Sequence, residues 1–241
     1  MVSKNLVDIN ENDLIKYDKE LFPILLKDHS SKRNIIWATD NYACYGDEYA
    51  YSNEIKIELI TGDHGNVIKP RVHKDKSEQR SRIRNKAEVF TPSWLCNKQN
   101  NLVDNAWFAA EEIFNIETAN GWETLSHKIP FPTVDGKTWQ DYAEDTRMEV
   151  SCGEASYLVS RYDTISGKSI PVPNRIGLLD RKLRVISENT DAIPEWYEWA
   201  KTAFQSIYGF DWQGDSLLLA RENMLFSFID YYKISLPPNL R

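Results

Sequence analysis

Residues 147–155 read Arg-Met-Glu-Val-Ser-Cys-Gly-Glu-Ala, and this stretch decides the fold class that the sequence predicts. Its first half, from Arg147 to Ser151, has the pattern of a short strand, and a helix is expected to begin at Ser156. Glycine at position 153 lets backbone come close to a ligand, and the first turn of a following helix presents free N–H groups. The stretch predicts a strand, a ligand-binding bend and a helix, although an ordinary strand-to-helix turn has the same pattern.

A second segment repeats this arrangement further along the chain. Residues 207–212 read Ile-Tyr-Gly-Phe-Asp-Trp, an apolar strand that ends in the carboxylate of Asp211, and a long helix is predicted over 215–232. A carboxylate at the tip of the second strand of a nucleotide-binding sheet can accept hydrogen bonds from both ribose hydroxyls. Trp212 could pack on an adenine ring. The alternative is that Asp211 starts a turn and Trp212 belongs to the core.

A third segment, Glu-Val-Phe-Thr-Pro at 88–92, stands directly before a predicted helix that begins at Ser93. Thr91 could cap this helix or offer its hydroxyl and N–H to a ligand carboxylate. The rest of the chain predicts elements of both kinds. Helices are expected over 10–26, 175–187 and 194–206, short strands over 34–39 and 54–60, and a loop over 119–142.

Taken together, the three segments resemble the cofactor half of DNA adenine methyltransferases, the modification subunits of restriction–modification systems. Phe-Thr-Pro at 90–92 is similar to the element that touches the methionine part of S-adenosylmethionine in those enzymes, 149–155 to their glycine loop, and 208–224 to their second strand and following helix. The resemblance covers residues 80–232 and implies S-adenosylmethionine as the cofactor. The cofactor-binding residues that it implies are Phe90, Thr91, Pro92, Ser151, Cys152, Gly153, Glu154, Asp211 and Trp212.

The expected fold is therefore α/β: a Rossmann-like methyltransferase domain over 86–241, incomplete in its strands, preceded by a mixed N-terminal region over 1–85. Gly153 and Asp211 are 58 positions apart, which is long for one crossover, so an insertion is expected at about 163–205. The glycine loop holds one glycine where the family has two or three. The catalytic Asn/Asp-Pro-Pro-Tyr/Phe tetrapeptide is not found, because the single Pro-Pro pair, at 237–238, has different neighbours.

Charge is distributed unevenly over the 241 residues. The whole chain carries a net charge of −7, yet Lys69 to Lys86 holds eight basic residues against two acidic ones, a net charge of +6. Such a segment could bind phosphates beside a DNA cleft, or it could be a solvated surface. The predicted DNA-binding residues are Lys74, Lys76, Arg80, Arg82 and Arg84. The helix over 175–187 offers a second basic face, which is either a solvated surface or a contact for DNA or a partner subunit.

The leading hypothesis is a DNA adenine methyltransferase of restriction–modification type, or its cofactor-binding part. One alternative is a non-catalytic methyltransferase-fold module that assembles with a specificity or restriction subunit. Another is a Mg²⁺-dependent nuclease that uses Glu54, Lys56 and Glu58. Three widely spaced cysteines and the absence of a signal peptide or an apolar run of membrane length favour a cytoplasmic protein without a membrane partner.

Overall fold

A computed structural model describes residues 7–86, 88–132 and 136–237, and within these ranges the fold is mixed α/β. The α-helices are α1 (Glu11–Tyr17), α2 (Leu21–Leu26), α3 (Lys76–Lys86), α4 (Ser93–Phe108), α5 (Trp139–Glu144), α6 (Leu178–Asn189), α7 (Ile193–Gln205) and α8 (Gly214–Ser235). The strands are β1 (Asn115–Thr118), β2 (Gly121–Thr124), β3 (Arg147–Val150) and β4 (Ile207–Phe210). Short 3₁₀ turns cover Ala43–Tyr45, Asp47–Tyr49, Ile57–Leu59, Gly62–His64, Arg71–His73 and Val172–Asn174.

The chain divides into two compact units that alternate along the sequence. The first unit contains Met1–Phe90, Ser151–Glu154 and Phe210–Glu222. The second unit contains Thr91–Val150, Ala155–Gly209 and Asn223–Arg241. The boundary that the sequence predicted, after residue 85, lies close to the first change of unit, after Phe90. The first unit also contains two segments from the C-terminal part of the chain.

The N-terminal helix predicted over 10–26 consists of two helices, α1 and α2. The Asn10 side chain caps α1 by accepting the Asn12 N–H at 3.0 Å, and the chain turns extended at Asp18. Pro23 lies in the first turn of α2, where its missing N–H breaks no helical hydrogen bond. One continuous helix would carry Pro23 in its interior, so the proline accounts for the break.

Aromatic side chains fill the core of the first unit. Trp37 is fully buried, with ring centroids 4.7 Å from Tyr42 and 5.2 Å from Tyr49. The strand predicted over 54–60 is wrong: Glu54 makes an isolated bridge with Ile36, and a 3₁₀ turn covers Ile57–Leu59. Two consecutive residues, Leu59 and Ile60, are both buried, which differs from the alternating burial of the half-buried strand that the sequence predicted.

In the second unit, part of the loop predicted over 119–142 is regular structure. Strands β1 and β2 form an antiparallel hairpin whose last pair is Thr118 with Gly121. Helix α5 begins with a capping box, in which Thr138 and Asp141 exchange hydrogen bonds between side chains and backbone N–H groups. The cap has a short sequence signal, Thr-x-x-Asp, whereas the two loop residues of the hairpin, Ala119 and Asn120, form no standard turn motif.

The strands predicted for these two segments are confirmed as β3 and β4, and the structure pairs them in a two-stranded sheet. The Arg147 N–H donates to the Ser206 carbonyl at 2.9 Å, and the Cys152 N–H donates to the Phe210 carbonyl at 2.8 Å. Because the partner advances along β4 as the donor advances along β3, the two strands run parallel. Helices α6 and α7 lie in the chain between them, and the helices predicted there are confirmed.

The helix predicted to begin at Ser156 is wrong, since residues 153–158 form turns. The carbonyls of Tyr157 and Leu158 accept the Leu178 and Leu179 N–H groups, each at 2.8 Å. These carbonyls therefore bond the start of α6, in place of the N–H groups four residues later that a helix would supply.

Basic side chains that the sequence assigned to a second DNA-facing or partner-facing surface lie inside the second unit. Arg181 is buried and pairs with Asp104 at 2.6 Å, and its guanidinium also donates to the Asn97 and Asn101 side chains. The buried Lys182 ammonium donates to the Ala143 and Asp145 carbonyls and to the Ser206 hydroxyl. The interpretation of α6 as a basic exposed face is corrected accordingly.

Gly214, at the start of α8, leads to the first prediction. Its N–H donates to the Trp37 carbonyl at 3.1 Å, and a β-carbon at this position would overlap the Ile36 carbonyl oxygen. We expect Gly214→Ala to lower the free energy of unfolding by about 3 kcal/mol, because the obstacle is backbone. Denaturant unfolding checks this. The control is Gly121→Ala, where the nearest atom is the Thr118 hydroxyl at 3.3 Å, and an equal loss there would contradict the interpretation.

Lys182 leads to a pH prediction for the second unit. Burial, reinforced by repulsion from Arg147, lowers the pKa of Lys182 to about 7. In the unfolded chain, Lys182 has the ordinary lysine pKa of about 10.4. Between about pH 7 and 10.4 the unfolded chain therefore holds a proton on Lys182 that the folded chain has lost, so this residue makes the free energy of unfolding rise with pH over that range. We expect Lys182→Met to show a smaller rise in the free energy of unfolding from about pH 7 to 10. The exposed Lys201→Met should keep the wild-type slope.

Candidate functional site

The bend after β3 has a backbone that suits close approach. Ser151 and Gly153 both have left-handed conformations, with φ of 59° and 54°. A β-carbon at Gly153 would lie 3.3 Å from the Phe90 ring, so glycine fits both the conformation and the space. Two of the three sequence segments, those containing Phe90 and Gly153, are therefore in contact in the first unit.

Asp211 joins the same bend. Its Oδ2 accepts the Gly153 N–H at 2.8 Å, and its Oδ1 accepts the Gln213 N–H at 3.0 Å. A carboxylate oxygen can accept two hydrogen bonds, so each oxygen retains capacity for a ligand hydroxyl. Next to it, the Trp212 side chain is 75% exposed, and its indole N–H donates to the Tyr51 hydroxyl at 2.9 Å. The aspartate tip and the glycine bend are thus one local site.

The other residues of the bend have structural contacts. Cys152 and Glu154 are buried, whereas Ser151 is exposed. A Glu154 oxygen accepts the Arg71 N–H at 2.6 Å, and the Arg71 guanidinium lies 5.3 Å from the centroid of the Phe90 ring. These contacts hold the Phe90 segment and the glycine bend in place within the first unit.

Thr91 and Pro92 belong to the second unit, where they lead into α4. Pro92 is the N-cap residue, and its own side chain makes no capping hydrogen bond. Instead, the Asp163 carboxylate accepts the Ser93 N–H at 2.7 Å, and the Thr91 carbonyl accepts the Thr164 hydroxyl at 3.1 Å. The capping role considered for Thr91 is therefore taken by Asp163, which the sequence did not single out.

A buried cluster of charged side chains in the first unit was missed by the sequence reasoning. The Oδ2 atom of the fully buried Asp215 accepts hydrogen bonds from Tyr42 at 2.7 Å, from Lys74 at 3.4 Å and from the Arg82 guanidinium. Arg82 also pairs with Glu88 at 2.9 Å. Burial by itself raises the pKa of Asp215, but attraction to Lys74 and Arg82 and the Tyr42 hydrogen bond outweigh it, so the pKa lies below its ordinary value.

This cluster separates the predicted DNA-binding residues into two groups. Lys74 and Arg82 are buried and neutralised by carboxylates, which places them in the core and away from any surface that could face phosphates. Lys76, Arg80 and Arg84 are exposed on α3 at intervals of four residues, so they share one helix face. None of these three forms an ion pair with another described residue.

A groove of about 510 Å³ lies in the second unit, beside the start of α4. Its walls come from α4, the tip of the β1–β2 hairpin and the loop over 163–171. The aromatic, amide and charged residues that line it are Trp94, Asn120, Trp122, Asp163, Lys168 and Asn174. Pro92, from the Phe-Thr-Pro element, is also part of its wall. The sequence reasoning did not find this groove, because its walls are far apart in the chain.

The candidate nuclease residues do not form a metal site. Glu54 accepts the Asn34 N–H at 2.9 Å, Lys56 pairs with Glu48 at 3.1 Å, and Glu58 is exposed on the 3₁₀ turn. No group of three or more His, Cys, Asp or Glu side chains that could hold a metal ion occurs in the described part of the chain. Glu54 and Glu58 do not share a strand face, since the expected strand is not formed.

Two further findings bear on function. Among the described residues, no helix combines the length and apolar character needed to cross a membrane. No protein-family model, no curated protein and no solved structure matches this chain.

Asp215 leads to a prediction that tests the buried cluster. We expect Asp215→Asn to lower the free energy of unfolding by about 3 to 5 kcal/mol at neutral pH, because Lys74 and Arg82 would be left buried without their anion. The native carboxyl has a lowered pKa, so its contribution is present above the unfolded pKa of about 3.9 and is lost as pH falls below it. The difference between the two proteins should therefore narrow in acid.

Denaturant unfolding between neutral pH and pH 3 would measure this difference. The matched control is Asp63→Asn, which changes an exposed aspartate of the same unit and should shift stability by less than about 0.5 kcal/mol. Equal stability of Asp215→Asn and the wild type at neutral pH would contradict the role given to the cluster.

Proposed function

We propose that this chain is the cofactor-binding part of an S-adenosylmethionine-dependent DNA adenine methyltransferase of restriction–modification type. The observation that carries the proposal is the hydrogen bond from the Gly153 N–H to the Asp211 carboxylate, at 2.8 Å. It joins the glycine bend and the aspartate tip, which are 58 residues apart, as binding of one nucleoside requires.

The parallel pair of β3 and β4 supports this proposal. We take these strands as the first two of a Rossmann-like sheet, with α6 and α7 in the crossover between them. In such sheets, ligands bind beyond the carboxyl ends of the strands. The Gly153 bend directly follows β3, and Asp211 directly follows β4, so both occupy that end of their strands.

The residues present fit the nucleoside part of the cofactor. Gly153 has a left-handed backbone with no side chain, which suits close approach to a ligand, Asp211 keeps acceptor capacity for ribose hydroxyls, and Trp212 offers an exposed indole for the adenine ring. When bound, S-adenosylmethionine supplies an activated methyl group. Because the Pro-Pro tetrapeptide is not found in the sequence, the proposal for this chain is confined to cofactor binding and DNA contact.

DNA contact is assigned to the exposed face of α3. Lys76, Arg80 and Arg84 project from one side of this helix without acidic partners among the described residues, so their charge is available to phosphates. The chain as a whole has a net charge of −7, which repels phosphates, so DNA contact is expected only at a local basic face such as this one.

A specific observation favours the second candidate, a non-catalytic module that assembles with a specificity or restriction subunit. Met148 and Val150 of β3 and Tyr208 of β4 are 60%, 70% and 48% exposed. Met148 and Val150 are two residues apart and therefore share one face of the strand. Apolar side chains exposed together are typical of an assembly surface. Methyl transfer from labelled S-adenosylmethionine to DNA by the isolated chain would exclude this candidate.

Calorimetry with S-adenosylmethionine tests the leading proposal. We expect the wild type to bind with a dissociation constant in the micromolar range and Asp211→Asn to bind about tenfold or more weakly, because a charged acceptor for the ribose hydroxyls is lost. Asparagine retains an oxygen for the Gly153 N–H, which protects the local fold. Asp63→Asn, the exposed control, should bind like the wild type. Undiminished binding by Asp211→Asn, or no binding by the folded wild type, would overturn the proposal.

A further inference from the structure

The groove beside α4 combines aromatic surface with unused polar groups. Trp94 lies on α4 and Trp122 on β2, and both contribute to its walls. The Trp122 indole N–H donates to the Asn174 carbonyl at 3.0 Å, which fixes the orientation of this ring. A fixed indole provides a flat apolar surface at low entropic cost to a ligand that stacks on it.

Polar side chains at the groove are free to recognise a ligand. The Asn120 and Asn174 side chains are exposed and form no hydrogen bond with the described residues, and each amide can both donate and accept. Paired donors and acceptors of this kind match the hydrogen-bonding edge of a nucleobase, which also carries both. A purely apolar ligand would leave these amides unused.

The charge at the groove favours an anionic ligand. Lys168 is exposed and has no acidic partner among the described residues. Asp163 is the acidic residue of the wall, and its carboxylate already accepts the Ser93, Ile165 and Ser166 N–H groups and the Ser166 hydroxyl. A second cation, Lys98, lies 5.6 Å from the centroid of the Trp94 ring. Free positive charge beside aromatic rings is the combination found at sites for single-stranded nucleic acid.

We propose that this groove binds a nucleotide unit, with its base stacked on an indole ring and its phosphate attracted by Lys168. The volume of about 510 Å³ is within the range of ligand sites and accommodates one nucleotide. The inference rests on the proposed function in one respect, namely that the bound nucleotide is an unpaired nucleotide of DNA. A free nucleotide has the same chemistry and is distinguished by experiment.

Fluorescence anisotropy with a labelled single-stranded oligodeoxynucleotide, and calorimetry with deoxyadenosine monophosphate, test the proposal on the full chain. We expect the oligonucleotide to bind in the micromolar range and the mononucleotide more weakly, because neighbouring phosphates add contacts. Binding of the mononucleotide at least as tight as that of the oligonucleotide would assign the groove to free nucleotides. Either result supports a nucleotide site, provided that the groove variants weaken the binding.

Substitutions in the groove decide whether the binding occurs there. Trp122→Ala should weaken binding about tenfold or more, whereas Trp122→Phe, which keeps a ring for stacking, should lose much less and reports on folding. Lys168→Gln should weaken binding several-fold and reduce the slope of log K against log salt by about 0.7. The matched control is Lys128→Gln, an exposed lysine of the same unit, which should bind like the wild type.

Three results would overturn the inference: no binding of either ligand, binding that the Trp122 and Lys168 variants leave unchanged, or displacement by a neutral oligosaccharide. If oligonucleotide binding were lost only when Lys76, Arg80 and Arg84 are replaced, the exposed face of α3 would account for it and the groove proposal would be wrong. Failure here is separate from failure of the proposed function. Calorimetry with S-adenosylmethionine reports on Asp211 and should be unchanged in Trp122→Ala.

Discussion

The carboxylate of Asp215 is fully buried in the first unit, and a buried charge is stable only where opposite charges and hydrogen-bond donors surround it. Tyr42, Lys74 and Arg82 meet this requirement at the Oδ2 atom, from segments far from Asp215 in the sequence, whereas the buried Oδ1 atom has no hydrogen-bond partner among the described residues. The residue also stands in the first turn of α8, directly after the turn that contains Asp211. The contacts of Asp215 therefore hold the end of that turn in place, and the orientation of Asp211 toward Gly153 depends on it.

The second unit meets the same requirement with a different set of residues. Asp104 is buried and accepts hydrogen bonds from Arg181, Tyr142 and Arg147, so its charge is balanced within the core. In both units, basic residues that are conspicuous in the sequence neutralise a buried carboxylate. The number of basic residues in the sequence is therefore larger than the number exposed on the surface. For this reason the proposed DNA contact involves the basic residues that are exposed on α3.

Periodicity and end signals predicted most long helices and the β3 and β4 strands, because such features depend on residues close together in the chain. The meeting of Gly153 with Asp211 was predictable only through the resemblance. The role of Asp215 had no local signal, since an aspartate in the first turn of a helix has the pattern of an ordinary cap. Burial of Lys74 and Arg82 and the walls of the groove arise from tertiary contacts, which one sequence does not encode in any local pattern.

Each of the two units offers a different set of groups that could recognise a ligand. The bend in the first unit offers a carboxylate, a backbone that can approach closely and one exposed indole, which suits a ribose and an adenine ring. The groove in the second unit offers free amides and an unpaired cation beside its indoles, which suits a base and a phosphate. Every nucleotide of DNA carries a phosphate, the group that suits the exposed ammonium of Lys168. This difference in charge supports the proposal that the cofactor binds at the bend and a nucleotide binds in the groove.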